Sequence, residues 1–151
     1  VNPYMGEDAV APFLAWGDRG VFLLCLTSNA GADDFEKQLL GDGTLYEHVA
    51  RKAVEWGADG CCGLVVGATQ PEAMAGLRRL APALPFLVPG VGAQGGDLAA
   101  AVGGGVREAG DGVLINASRG VIYASSGDDF AEAARREAQS LRRQINEHRG
   151  R

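Results

Sequence analysis

The residues best suited to chemistry lie in two short stretches, Pro85-Phe-Leu-Val-Pro-Gly-Val-Gly-Ala-Gln-Gly-Gly-Asp97 and Asn116-Ala-Ser-Arg-Gly120. In the first, an apolar run from Phe86 to Val88 meets four glycines, Gly90, Gly92, Gly95 and Gly96, with the amide of Gln94 among them. Glycine tolerates positive φ and lets backbone N–H groups approach a ligand closely. Asp97 is suited to cap a following helix, and the N–H groups at a helix start favour an anion. In the second, Ser118 and Arg119 follow the apolar run Val113–Ile115, which sets a guanidinium at a strand's end. Together these features predict a phosphate cradle shared by two successive strand-to-helix turns.

Two other readings of the glycines are available. Gly90-Val-Gly92-Ala-Gln-Gly95 matches the Gly-x-Gly-x-x-Gly fingerprint of dinucleotide sites. That fingerprint usually sits in the first βα unit with an acid closing the next strand, whereas here it comes late and the next strand ends in Asn116. The glycines can also simply make a tight turn. Gln94 and Ser118-Arg119 favour phosphate over both. Thr27-Ser28-Asn29 is either a plain turn with a cap or a ligand contact, and Ser28 gains weight from lying at the same strand edge as the glycine loop. The two histidines, His48 and His148, fall in helical segments, so no Ser-His-Asp grouping is expected. Neither Cys-x-x-Cys nor His-x-x-x-His spacing occurs, so no metal site is expected.

The elements that must position these groups alternate between strand and helix. Val1-Asn2 reads as the tail of a strand and Glu7 to Trp16 as a short helix with Val10, Phe13 and Leu14 inward. Val21–Leu26 follows as a strand buried on both faces, then loop or broken helix over Asp33–Asp42. Thr44-x-x-Glu47 is a capping box for a helix that Gly57 stops. Cys61–Val66 is the next strand, and Thr69-Gln-Pro-Glu72 caps a helix with Met74, Leu77 and Leu80 inward. The helix after Asp97 is interrupted by Gly103-Gly104-Gly105 and is expected to fray or bend. Phe130, Ala134, Ala138, Leu141 and Ile145 form one stripe of a long closing helix. No linker divides the 151 residues, which are expected to form one α/β domain with a parallel sheet, either an open doubly wound sheet or over half of an eight-stranded barrel.

A net charge of −5 with no basic block argues against general nucleic-acid or anionic-membrane binding. No apolar run approaches the ~20 residues that span a bilayer. No signal peptide is read, and the three cysteines, Cys25, Cys61 and Cys62, suit reduced thiols of a cytoplasmic protein. The opening Val1-Asn2-Pro3, without an initiator methionine, reads as a chain entered partway through.

Pro89-Gly-Val-Gly-Ala-Gln-Gly-Gly96 resembles the phosphate loop of the orotidine 5′-phosphate decarboxylase family. So do Thr27-Ser-Asn-Ala-Gly31, Gly63-Leu-Val-Val-Gly-Ala-Thr69 and Asn116-Ala-Ser-Arg119, while Val1-Asn-Pro-Tyr-Met-Gly6 resembles its mycobacterial-type branch. The resemblance implies the C-terminal part of a (β/α)8 TIM barrel, about four βα units plus a strand stub, with residues 1–151 as a single partial domain. It implies a cofactor-free enzyme, usually a homodimer, that converts orotidine monophosphate to uridine monophosphate (UMP) and carbon dioxide. Gln94 and Arg119 would hold the 5′-phosphate with backbone N–H groups around Gly95 and Ser118. Ser28 would bond the pyrimidine's edge, and Pro89 with Val91 would wall the base. The family's catalytic signature, Asp-x-Lys-x-x-Asp, is missing. Of the only two lysines, Lys37 has Phe35 and Lys52 has Ala50 where the first aspartate belongs. Ala30, where the branch has proline, and Leu26, where arginine is usual, are smaller departures. No catalytic residue is therefore assigned, and the chain alone is expected to be inactive. The alternatives are a non-catalytic phosphate-binding half-barrel and a dinucleotide-binding domain of an oxidoreductase.

Overall fold

The computed structural model describes residues 1–58, 62–92 and 96–150. In chain order its elements are α1 (Glu7–Leu14), β1 (Val21–Leu26), the short hairpin strands β2 (Leu39–Leu40) and β3 (Gly43–Thr44), and α2 (Leu45–Trp56). There follow β4 (Cys62–Val66), α3 (Pro71–Leu80), β5 (Phe86–Pro89), α4 (Leu98–Gly105), β6 (Val113–Asn116), α5 (Arg119–Ile122) and α6 (Phe130–His148).

Apolar side chains decide how these elements stack. Strands β1, β4, β5 and β6 pair in that order and are all parallel. Val10 of α1, Val49 and Ala53 of α2, Met74 and Leu77 of α3 and Ala101 of α4 share one core with Val21, Leu23, Leu64, Val66, Phe86 and Val88. Spatial order therefore follows chain order, and helices α1–α4 occupy one face. A doubly wound sheet reverses its strand order and carries helices on both faces. This singly wound arc is instead part of a (β/α)8 barrel.

The other face is open, contrary to the expectation of strands buried on both sides. Leu24 is 40% exposed and Leu114 52%. The register sets Leu24, Val65, Leu87 and Leu114 in one row across that face. Val1 lies on the free edge of β1, as a strand tail would. Its amino nitrogen donates to Phe22 O at 2.6 Å, and its carbonyl accepts from Leu24 N at 2.9 Å.

Several local expectations are corrected. Helix α1 stops at Leu14, carries Pro12 inside it and leaves Phe13 exposed. The 33–42 stretch includes β2, which pairs with β3 in a hairpin. The Thr44 capping box forms, with Thr44 N–H donating to Glu47 Oε2 at 2.7 Å. Thr69, by contrast, is no cap: Gln70 occupies that position with Pro71 starting α3, and the Thr69 hydroxyl donates to Ser28 O at 3.2 Å. Helix α4 runs through its glycines to Gly105. A Cβ there would lie 2.8 Å from Val113 Cγ1 and 2.9 Å from Met74 Sδ, so the missing side chain is what admits α4 against α3 and β6. On α6, Ala133 is the buried residue, Ala134, Leu141 and Ile145 are half-buried, and Phe130 and Ala138 are exposed.

At the amino-terminal end of the sheet, Arg78 of α3 ties neighbouring segments together. Its guanidinium donates to Ala81 O (3.0 Å), Leu84 O (2.7 Å), Gly105 O (2.8 Å from Nε) and Gly112 O (3.1 Å). It also stacks 3.7 Å above the centroid of the Phe86 ring. Burial pulls its pKa down to about 10, with Arg107 adding to the fall and Asp111 opposing it.

Candidate functional site

Parallel pairing brings the carboxyl ends of all four strands to one edge, where ligands bind in such folds. The chain after β5 turns at Gly90 and Gly92, whose φ values of +93° and +69° fall in the left-handed region that favours glycine. Gly96 N–H donates to Gly90 O at 3.2 Å and Gly92 N–H to Gly96 O at 3.1 Å, so the loop closes on itself. A Cβ on Gly96 would lie 2.6 Å from Ala68 Cβ, which explains why that position has no side chain. Asp97 then caps α4 as expected, accepting from Ala100 N–H at 3.1 Å.

After β6 the chain enters α5, a single turn absent from the sequence expectations, which begins at Arg119. Ser118 precedes it, its hydroxyl 3.4 Å from Asn116 Oδ1. Arg119 is exposed and, among the described residues, its guanidinium has no hydrogen-bond or ion-pair partner. A cavity of about 460 Å³ opens between these turns, bounded by Pro89, Val91, Gly92, Ser118 and Arg119. The cavity thus brings together four of the seven expected site residues: Pro89, Val91, Ser118 and Arg119. Ser28 lies beside it, with its hydroxyl donating to Pro89 O at 3.4 Å. Gln94 and Gly95 lie outside the described residues, as does Cys61.

Glu137, Leu141 and Gln144 of α6 form the cavity's outer wall. Sequence reasoning missed Glu137 and Gln144 and used Leu141 only for packing. Their i, i+4, i+7 spacing was the available signal, but polar residues on a helix read first as a solvated face. Chemically, the cavity offers one uncommitted guanidinium, a short helical turn, glycines on the facing turn and a single opposing carboxylate. That set suits a phosphate ester carried on a flat, partly apolar group. Among the described residues, no cluster of histidine, cysteine or carboxylates is arranged to hold a metal ion. Neither lysine lies in the cavity wall. Lys37 pairs with Asp33 at 2.8 Å, and Lys52 of α2 pairs with Glu55 at 2.8 Å.

A singly wound βα arc of four parallel strands, with a cavity at their carboxyl ends, has the architecture of part of a (β/α)8 barrel. Comparison with known proteins makes the class specific. Residues 1–136 match the orotidine 5′-phosphate decarboxylase / HUMPS family, and the chain belongs to it. It is 53% identical over 149 residues to orotidine 5′-phosphate decarboxylase of Bordetella pertussis, covering 97% of this chain and 55% of that protein. The enzyme of Azoarcus sp. is also 53% identical, over 99% of this chain and 56% of its own length. Among solved structures, UMP synthase of Leishmania donovani superimposes with a TM-score of 0.87 at 47% identity, over 98% of this chain and 32% of that one. The chain spans about half the length of the curated relatives it matches.

Proposed function

We propose that this chain is a C-terminal portion of an orotidine 5′-phosphate decarboxylase, a carboxy-lyase, in which residues 1–151 form one partial barrel domain. It supplies the phosphate and pyrimidine contacts of the reaction that forms UMP and carbon dioxide from orotidine monophosphate. The observation that carries the reading is the cavity shared by the glycine turn and Arg119, with Ser28 bonded to its wall residue Pro89. Arg119 and Gln94 hold the 5′-phosphate with N–H groups around Gly95 and Ser118, Pro89 and Val91 wall the base, and Ser28 bonds its edge. The sheet's sequential order and one-sided helices weigh against the dinucleotide-binding alternative.

Decarboxylation without a cofactor requires stabilisation of a developing carbanion and a positioned acid to quench it. The chain has no Asp-x-Lys-x-x-Asp, and its two lysines are committed to exposed ion pairs. It therefore binds nucleotide without turning over orotidine monophosphate, and the intact enzyme is a homodimer. The test follows UMP production by the purified chain, alone and with a family segment bearing Asp-x-Lys-x-x-Asp. No turnover alone and measurable turnover in the mixture are expected. Robust turnover by the chain alone would overturn the assignment of the proton donor to a segment outside it.

A further inference from the structure

Ser28 is held from three directions, two of them by residues, Glu36 and Thr69, that have no part in the chemistry above. On one side Glu36 reaches back nine residues to the end of β1. Its Oε2 accepts Thr27 N–H at 2.7 Å, and both carboxylate oxygens lie 3.0 Å from Thr27 Oγ1. On the second side Thr69, freed from capping α3, donates its hydroxyl to Ser28 O at 3.2 Å. On the third, the Ser28 hydroxyl touches Pro89 O at 3.4 Å, a long bond that a polar ligand edge can replace. Gly67 closes the space behind, since a Cβ there would lie only 2.7 Å from Ser28 N.

Glu36 is itself anchored. Its carbonyl accepts Tyr46 N–H at 2.9 Å, and the next residue's N–H donates to Ala32 O at 3.1 Å. Charge-assisted bonds from a carboxylate to a backbone N–H and a hydroxyl are among the stronger neutral-donor contacts available. A hydroxyl that reads a flat base must be fixed in distance and direction, because a misplaced donor loses most of a hydrogen bond's worth. We propose that Glu36 is a positioning residue for base recognition: through Thr27 it fixes Ser28 at the base side of the cavity, with Thr69 as the second brace. This rests on the reading of Ser28 as the pyrimidine contact.

The test compares binding of UMP with that of ribose 5-phosphate, which shares the phosphate and lacks the base. Glu36→Leu should lower UMP affinity about tenfold and leave ribose 5-phosphate within about twofold. Glu36→Gln should keep most of the discrimination, because its amide oxygen still accepts the Thr27 N–H. If Glu36→Leu fails to fold, Thr27→Val removes only the hydroxyl and should give a loss of about threefold in the same direction. An unchanged ratio in a folded Glu36→Leu chain, or a parallel fall for both ligands, overturns the role of Glu36. If the unsubstituted chain binds UMP no better than ribose 5-phosphate, the reading of Ser28 fails instead, and the role of Glu36 with it.

Discussion

The two ends of the sheet each carry an arginine, and the two are used in opposite ways. At the amino-terminal end Arg78 is half-buried, gives its N–H groups to carbonyls of five residues and lies flat on Phe86. At the carboxyl end Arg119 is exposed beside a cavity and gives nothing to the described residues. The first has all its bonds made, and the second has them available. In a barrel the bottom of the sheet serves stability and the top serves binding. Here the hydrogen-bond partners of one residue type are enough to tell the ends apart.

The sharpest way to break this contrast is to exchange the consequences. Arg78→Leu should destabilise the chain by about 3–5 kcal/mol, because five carbonyls lose a charged donor and Phe86 loses its stacked cation. The change is read as a lower urea midpoint, and nucleotide selectivity in the folded fraction should be unaltered. Arg119→Ala should do the reverse. It should weaken UMP binding by about 2–5 kcal/mol, leave uridine binding nearly unchanged and move the urea midpoint little. Equal losses for nucleotide and nucleoside would place Arg119 with Arg78 as a folding residue.

Two smaller changes sharpen the picture of the upper end. A Cβ on Gly92 would meet no atom of the described residues within 4 Å, but φ is +69°. Gly92→Val should therefore act through backbone strain rather than bulk, costing about 1–2 kcal/mol in UMP binding or stability. A variant indistinguishable from the parent in both would remove the turn from the site. Glu137→Gln should have the smallest effect, strengthening UMP binding by roughly 0.5 kcal/mol at low ionic strength. Salt near 0.15 M should erase most of that gain. Weaker binding would mean the Glu137 carboxylate accepts a ligand hydroxyl instead of opposing the phosphate.

Much of this was legible in the sequence, and the failures have physical causes. Long apolar runs and the Thr44 capping box located the strands and α2, because each signal is local and strong. The glycine loop with Arg119 named the cavity's inner wall for the same reason. Thr69 looked like a cap, yet a tertiary partner, the Ser28 carbonyl, took its hydroxyl. The glycine triplet looked like a helix breaker, but its propensity cost is outweighed where Met74 and Val113 need the space. Helix α5 and the β2–β3 hairpin are too short for periodicity to register. The α6 wall and the Glu36 clamp depend on which segments meet in three dimensions, which spacing alone does not encode. The open face of the sheet was also hidden, since a continuous apolar run does not say how many of its sides are covered.

The proposed role of the upper end of the sheet is that of a phosphate site that reads a pyrimidine nucleotide. Calorimetric titration of the unsubstituted chain with UMP, uridine and NAD tests it most directly. UMP should bind saturably, with uridine weaker by at least about tenfold for lack of the charge-assisted contacts to Arg119, and NAD should show no comparable binding. Equal affinities for UMP and uridine, or preferential binding of NAD, would contradict it.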